Sequence, residues 1–330
     1  MKFVVGAAAV VAAIGTGTAR ADTPTDAPTA IDVERWTATA TSWWAGLEDP
    51  RVVGLGHLAF GLTASGITSP IRLTAAAGDD LGAPVSRRVA LLASAAYGVT
   101  ESVEIDASFP IYLQDGDRLA ALGDPRGLRP LTRGDLRVGG KYQVVDRAIL
   151  RAAFAADIVL PTGDDQHYAG EASWVLHWRA LAALRLGRFG VAIAAGVRIR
   201  GEEVLLAADQ VAGNEVVAGV AIAYTLPPIS RVYCDWTQLR LIAEVDGVVG
   251  DTVGEVRGPS PFEARAGIRG RIWRGWTVGV IGGRGLTDEV GAPSWRAVIE
   301  VSWRDEPRTD IPRAPREPDP VDDDDLEPDE

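Results

Sequence analysis

The 330-residue chain has little cysteine and no long hydrophobic run beyond its N-terminus. Its one cysteine, Cys234, has no partner in the chain, which excludes an internal disulfide. After the N-terminus, no apolar stretch reaches the roughly 18 residues that a membrane-spanning helix needs. The net charge of −12 has the wrong sign for a nucleic-acid-binding surface. Disulfide scaffolds, helical membrane proteins and nucleic-acid-binding proteins are therefore disfavoured.

Motifs that carry chemistry are also missing. The sequence has no G-x-S-x-G nucleophile elbow, no zinc-type ligand spacing and no phosphate-binding loop. His57 and His177 fall at inward strand positions, and His167 lies in a connection. Ser173 and His177 raise the alternative of a membrane lipase, but four residues along a strand separate them by about 13 Å, too far for a hydrogen bond. We therefore expect no enzymatic activity, no catalytic residue, no cofactor and no metal site.

What the sequence does have begins with an export signal. Lys2 precedes an apolar run from Phe3 to Ile14, and the residues at 19–21 read Ala-Arg-Ala, a small-residue cleavage site. A retained membrane anchor is the alternative, but the apolar run is too short to span a bilayer. The pattern predicts a cleavable signal peptide over 1–21.

From about residue 54 to residue 303, the chain repeats one unit of about ten alternating residues followed by a turn. In 102–109, for example, Val103 and Ile105 alternate with Glu104 and Asp106. This alternation is typical of strands with one apolar and one polar face. It predicts an all-β fold, a single antiparallel transmembrane barrel of about 12 strands (range about 10–14) with a polar lumen. The expected strands lie near 54–63, 88–99, 102–113, 134–145, 148–160, 172–185, 188–200, 214–226, 236–247, 261–272, 275–285 and 294–303.

The connections between these strands alternate in length, which is typical of outer-membrane barrels with their short turns in the periplasm. An even strand number also places both ends of the barrel on the periplasmic side. The link at 227–235 is slightly longer than the other short turns. Short turns are expected around residues 100, 146, 187 and 274, and longer connections at 64–87, 114–133, 161–171, 201–213, 248–260 and 286–293.

A soluble β-sandwich or soluble barrel is the alternative reading of the same alternation. Its strands are usually shorter, about five or six residues. The apolar faces here also end in aromatic residues, as the interfacial girdles of membrane barrels do. These aromatic positions are Tyr97, Tyr142, Trp174, Tyr224, Trp276, Trp295 and Trp303.

Two segments flank the predicted barrel, which covers 51–303. Residues 22–50 begin rich in Thr and Pro and contain three tryptophans, so we expect a periplasmic extension lying against the barrel mouth, with a small plug as the alternative. Residues 304–330 are acidic and Pro-rich, with almost nothing to bury, which predicts a disordered tail. The four aspartates at 322–325 lack the glycine and spacing of a calcium loop.

The polar faces of the strands carry many charged side chains, which we expect to line the lumen. They could form a salt-bridge network that fills the barrel, or an Arg-rich wall of a narrow or gated pore that favours anions. A twelve-stranded barrel lies between filled small barrels and open porins, so geometry leaves both open. The expected lumen-lining residues are Glu104, Asp106, Arg137, Lys141, Arg151, Asp157, Arg179, Arg198, Arg200, Arg240, Glu244, Arg265, Arg269, Arg271, Arg296 and Glu300.

Several short strings resemble a known family. They lie at 49–52 (DPRV), 97–104 (YGVTESVE), 134–142 (GDLRVGGKY), 160–164 (LPTGD) and 285–288 (GLTD). The chain over about 49–303 thereby resembles the N-terminal barrel region of OmpA-family outer-membrane proteins of myxobacterial type. Related strings occur in barrel transporter families linked to phenol degradation. Fuller family members continue into a peptidoglycan-binding domain, and we expect none in these 330 residues, so the resemblance implies a barrel but neither peptidoglycan anchoring nor catalytic residues.

These observations predict a porin-like barrel in the outer membrane of a Gram-negative cell. The expected function is a narrow channel or transporter for small polar or anionic solutes. The alternative is a structural or interaction barrel with a filled lumen and no transport. The expected partners are outer-membrane lipid, such a solute and a periplasmic protein bound by the acidic tail, but no nucleic acid.

Overall fold

The computed structural model describes residues 29–74, 80–117, 127–207, 210–227, 229–231, 234–253, 256–273 and 275–305. The expected signal peptide, the aspartates at 322–325 and the tail beyond residue 305 lie outside the described residues. No helix in the described ranges is long and apolar enough to cross a membrane.

Twelve long antiparallel strands form one closed barrel, which confirms the predicted fold class. Each strand pairs with its neighbours in sequence, and the last strand pairs with the first from Ala59 opposite Arg304 to Thr68 opposite Trp295. The strands are β1 (Leu58–Thr74), β2 (Asp80–Gly98), β3 (Val103–Asp115), β4 (Leu136–Asp146), β5 (Leu150–Leu160), β6 (Val175–Leu186), β7 (Phe189–Arg200), β8 (Glu215–Thr225), β9 (Cys234–Gly250), β10 (Phe262–Trp273), β11 (Trp276–Gly285) and β12 (Trp295–Arg304).

The two ends of the barrel differ as the sequence predicts. At one end, which we call the short-turn end, the chain reverses within a few residues, as at 99–102, 147–149 and 187–188. The barrel also begins and ends here, because Leu58 and Arg304 both lie at this end. The opposite end, the long-loop end, carries the longer connections.

The long-loop end has more regular structure than the sequence predicts. The expected connection at 64–87 is largely strand, because β1 and β2 continue as a hairpin that is bulged beyond Thr68. Inward side chains of this hairpin, Ile71 and Val85, are buried against residues of the N-terminal segment. Short pieces complete the connections: strands Leu131–Arg133, Val204–Ala207, Gln210–Ala212, Thr252–Val253 and Val256–Arg257, and the 3-10 helix Asp165–His167; strand Ile229–Arg231 pairs with β9 at the short-turn end.

The barrel is apolar outside and polar inside. In β1, for example, Phe60 and Leu62 are 48% and 59% exposed, whereas Thr63 and Ser65 on the opposite face are buried. The same alternation recurs in the other strands, with Val, Ile and Leu outward and charged side chains inward. This is the reverse of a soluble β-sandwich, whose apolar faces pack together.

Outward aromatic side chains lie near both ends of the barrel. At the short-turn end, Tyr97, Tyr142 and Trp276 are exposed, and Trp303 stacks on Phe60 across the seam that closes the barrel. At the long-loop end the exposed aromatic residues are Trp174, Trp178 and Trp295. Two such bands, one at each rim, are typical of the interfacial girdles of membrane barrels.

The N-terminal segment lies inside the barrel rather than against its mouth. We call residues 29–53 the lumen segment. Trp36, Trp43, Trp44 and Leu47 are each buried, and the polar residues of the segment contact inward side chains of the strands. The expected extension at the barrel mouth is therefore wrong for residues 29–50, which lie inside the barrel, where the alternative of a small plug places them. The segment could not be located from the sequence because it has no strand periodicity.

Candidate functional site

The lumen segment crosses the barrel from the long-loop end to the short-turn end. Ala30 and Ile31 pack with Ile71 and Val85 of the β1–β2 hairpin at the long-loop end. At the other end, the Val53 N–H donates to a carboxylate oxygen of Glu104 at 2.7 Å, close to the start of β3. The chain then reverses into β1, so the segment fills the lumen along its axis.

The reversal between the lumen segment and β1 depends on glycine. Gly54 and Gly56 have φ values of +94° and +74°, which side-chain-bearing residues rarely adopt. The Gly56 N–H donates to the carbonyl oxygen of Gly98 at 2.8 Å. A Cβ added at Gly98 would collide with the carbonyl group of Gly54. These three glycines let the segment double back tightly beside the end of β2.

Apolar side chains of the lumen segment are accommodated by small wall residues. Trp44 and Leu47 belong to one buried cluster with Ala192, Ala221 and Ala223 of β7 and β8. A Cβ added at Gly219 would lie 2.7 Å from Cδ1 of Leu47, so the wall has no spare room there. The run of glycine and alanine on these inward faces therefore makes the space that the segment occupies.

Acidic side chains of the lumen segment meet wall arginines near the long-loop end. Asp32 pairs with Arg88 at 3.1 Å and accepts a hydrogen bond from the Tyr112 hydroxyl at 2.6 Å. Glu34 pairs with Arg296 at 2.5 Å. Both arginine side chains are almost fully buried, so each needs a carboxylate nearby; the segment supplies the one beside Arg88 and shares Arg296 with a wall glutamate.

One residue of the lumen segment is basic and pairs with an acidic residue of the wall. Arg35 pairs with Glu215 of β8 at 2.8 Å, and the same carboxylate pairs with Arg198 and Arg200 of β7, each at 3.1 Å. Arg200 also pairs with Glu171 in the β5–β6 connection at 3.1 Å. The segment thus joins a continuous network that links the wall with a long-loop connection.

A buried lysine joins the lumen segment to the wall near the start of β3. Lys141 of β4 lies 3.4 Å from Glu48 of the lumen segment and 3.2 Å from Glu104 of β3. Thr41 of the segment donates to Glu104 at 3.1 Å. Glu48 also pairs with Arg179 of β6 at 3.0 Å. Side chains from three strands therefore converge on two points of the segment.

The wall also satisfies backbone groups of the lumen segment, which has no regular secondary structure of its own. Glu244 of β9 accepts the N–H of Gly46 at 3.1 Å and that of Leu47 at 2.9 Å. Arg269 of β10 donates to the carbonyl oxygen of Ser42. Buried backbone groups need such partners, so these contacts fix the path of the segment through the barrel.

Basic residues predominate on the inner wall, and the lumen segment is acidic. Among the described residues of the segment, Asp32, Glu34, Glu48 and Asp49 outnumber the two arginines. The segment therefore supplies negative charge to a wall that has an excess of positive charge. The described inward basic residues of the strands are Arg88, Arg137, Lys141, Arg179, Arg198, Arg200, Arg240, Arg265, Arg269, Arg271 and Arg296, and the acidic ones are Glu104, Asp106, Asp157, Glu215, Glu244, Asp246, Glu263 and Glu300.

The structure places most of the expected lumen residues in this network of ion pairs. Asp106 is half-buried on the same face of β3 as Glu104. Arg240 and Arg271 stack on Trp43, and Arg151 lies near the short-turn end. The members of the ion-pair network are Glu104, Arg137, Lys141, Asp157, Arg179, Arg198, Arg200, Glu244, Arg265, Arg269, Arg296 and Glu300.

Sequence reasoning missed several members of the network. The wall residues Arg88, Glu215 and Glu263 lie inside the predicted strands, near their long-loop ends and on their inward faces, so the alternation already contained the signal for them. The acidic residues of the lumen segment had no comparable signal. The three tryptophans within it were the only sequence feature that pointed to a buried position.

The lipase alternative finds no support in the described residues. His177 contacts Asp157 at 3.2 Å and is held on its other side by Arg198. The Ser173 hydroxyl donates to the carbonyl oxygen of Trp174 instead of to a histidine. His57 pairs with Asp305 at 3.1 Å. No histidine in the described residues is thus aligned with a serine nucleophile.

Two aspartates organise the loops above the long-loop end. Asp135 accepts the N–H groups of Gly163 and Glu171, each at 2.7 Å. Burial raises the pKa of Asp135 to about 6, although these two donors lower it. Burial also tends to raise the pKa of Asp164, but a hydrogen bond from His167 outweighs it, and the pKa lies below its usual value.

Comparison with solved structures shows which fold this is. The chain is similar to the COG4313 outer membrane channel from Pseudomonas putida F1, with 13% identity and a TM-score of 0.56; the match covers 79% of this chain and all (100%) of that one. It also matches the KdgM porin, with 7% identity and a TM-score of 0.43, over 75% of this chain and 99% of that one. No family model and no curated protein matches the sequence.

The closed twelve-stranded barrel therefore has the fold of an outer-membrane channel. This fold assignment rests on the COG4313 channel, with its TM-score of 0.56.

Proposed function

We propose that the protein is a narrow outer-membrane channel for small anionic solutes, closed by its own lumen segment. The observation that carries the proposal is the occupied lumen: an Arg-rich wall whose excess positive charge is compensated by an acidic segment of the same chain. With the segment displaced, that wall would face water and attract anions. Insertion in the outer membrane and export by a cleaved signal peptide belong to the same proposal, as does the absence of enzymatic activity.

The proposal includes membership of the OmpA-family barrels. The strings that resemble OmpA-family barrels lie at turns and strand ends, such as Gly98 beside Gly54 and Asp135 beside Gly163. Their local geometry explains why such strings recur in barrels. The fold match to an outer-membrane channel supports the barrel itself.

A reversible covalent tether tests whether the segment must move. A Cβ built at Gly61 would lie 3.7 Å from the Cβ of Ala40, close to the roughly 3.8 Å found across disulfides. The variant carries Ala40→Cys and Gly61→Cys, with Ser94→Ala because the Ser94 hydroxyl lies 2.6 Å from that added Cβ. Cys234→Ala removes the native thiol.

In planar bilayers, the reduced variant should conduct and the oxidised variant should not, and a reductant should restore the current. Two matched controls each carry only one of the new cysteines and should be insensitive to oxidant. An oxidised, tethered barrel that conducts like the reduced one would contradict gating by the segment. A barrel that is silent in every state would instead support the structural alternative, a filled barrel without transport.

A further inference from the structure

A cavity of about 170 Å³ lies at the short-turn end of the barrel, beside the lumen segment. Its wall contains four arginines, Arg51, Arg151, Arg185 and Arg240, and one carboxylate, Asp49. The hydroxyl of Thr225 and the amide of Gln238 add neutral polar groups. A concave site of this composition is strongly biased towards a negatively charged occupant.

The carboxylate in this cavity is already engaged. Arg51 donates two hydrogen bonds to Asp49, from Nε to Oδ1 at 3.0 Å and from Nη2 to Oδ2 at 2.9 Å. The charge of the Asp49 carboxylate is therefore already compensated by Arg51. Arg151 pairs with Asp146 at 2.8 Å, outside the cavity lining.

Two of the four arginines have no acidic partner within the described part of the chain. Arg185 and Arg240 each take part in no ion pair there, and the Nε of Arg240 is buried with no hydrogen-bond partner among described atoms. An unpaired buried donor is costly, and an anion in the cavity would supply the missing acceptor. The excess positive charge of the cavity therefore comes with at least one unused donor.

The positions of two of these arginines are fixed by one aromatic ring. The guanidinium carbons of Arg51 and Arg240 lie 5.1 Å and 5.0 Å from the centre of the Trp43 ring. Trp43 is itself buried, so the two cations are held close together before any ligand arrives. Such preorganisation reduces the entropy lost on binding.

We propose that this cavity binds a compact multivalent oxyanion of the phosphate or pyrophosphate class. Planar guanidinium groups match phosphate oxygens with paired hydrogen bonds, which favours this class over a simple halide. The volume is adequate, since a cavity of about 150 Å³ takes up a benzene-sized molecule. A role of this site in transport rests on the proposed function. The site itself defines the class of anion that the channel would meet at its short-turn end.

Isothermal titration of the full chain in detergent with inorganic pyrophosphate tests the site directly. Wild-type protein should bind, and Arg185→Gln combined with Arg240→Gln should weaken binding by at least about tenfold, the scale of one lost charged hydrogen bond. Arg240→Lys, which keeps the charge but not the forked donors, should fall between them. The matched control is Arg87→Gln, which removes an exposed arginine at the opposite end of the barrel.

The result that would overturn the proposal is equal affinity in wild type and in the double variant, with both barrels folded by circular dichroism. Absence of binding to wild type would overturn it too. Because the cavity exists with the lumen segment in place, the oxidised tethered variant should bind pyrophosphate as wild type does. Binding without conduction would thus reject only the channel, and conduction without binding would reject only this site.

Discussion

At the scale of single residues, buried ion pairs stabilise the interior, and replacing only one member of such a pair is destabilising. Lys141 shows this most clearly, because its side chain has no exposed area and lies between Glu48 of the lumen segment and Glu104 of the wall. Replacing a whole buried ion pair by apolar groups is often tolerated, whereas removing one partner leaves an uncompensated charge. Lys141 therefore couples the stability of the barrel to the presence of the segment.

Lys141→Met should lower the free energy of unfolding by about 3–5 kcal/mol, because Glu48 and Glu104 lose their shared cation. Urea titration in lipid vesicles, followed by tryptophan fluorescence, measures the change. Arg87→Met is the matched control: it breaks an exposed pair with Asp115 and should cost no more than about 1 kcal/mol. Equal losses in the two variants would show that the buried pair has no special weight.

At the scale of one strand, the outward face distinguishes a membrane barrel from a soluble one. In β11, Val280 is 58% exposed near the middle of the strand, while Ile281 beside it is buried. In water, an exposed valine can become arginine at little cost. In a bilayer the same change places a cation in hydrocarbon.

Val280→Arg should therefore destabilise the barrel in lipid by about 2–4 kcal/mol. Leu286→Arg, just beyond the long-loop end of the same strand and equally exposed, should cost about 0–1 kcal/mol because it lies nearer the interface. Equilibrium folding into phosphatidylcholine vesicles measures both. Indistinguishable values would contradict the expected depth of β11 in the membrane.

The strands were predictable because their environment imposes a period of two. Lipid outside and charge inside make Phe60, Leu62 and their counterparts alternate with polar residues, whatever the rest of the molecule does. The lumen segment was not predictable in this way, since its neighbours are scattered over several strands and its backbone follows no period. The predicted strands ended too early in the β1–β2 hairpin for a related reason: the side chains of Ile71 and Val85 are buried by contact with the lumen segment, so this part of the hairpin lacks the regular alternation.

At the scale of the whole molecule, charge is divided between the wall and the segment that fills it. The wall alone carries an excess of arginine, and the segment alone carries an excess of carboxylate. Loss of the segment would therefore change two properties at once, the width of the pore and the strength of the positive charge in its interior.

Ion selectivity in a potassium chloride gradient reports on that field. The conducting state should favour chloride, and Arg269→Glu with Arg271→Glu should move the reversal potential towards that of potassium, because two inward cations become anions. Arg87→Glu at the exposed long-loop end changes the charge by the same amount per site and should leave the potential nearly unchanged. A reversal potential that is independent of the wall arginines would exclude them from the ion path.

The reversal at Gly54 and Gly56 keeps the lumen segment attached to the first strand a few residues from the barrel. If the segment leaves the lumen, as the proposed function requires, this short covalent connection keeps it near the barrel at an effective concentration on the millimolar scale. Its return is a unimolecular event that does not depend on how much protein the cell makes. If the segment closes the channel as proposed, any solute that keeps the passage open would have to compete with the segment at that concentration, so the barrel would be closed by default and its openings would be brief.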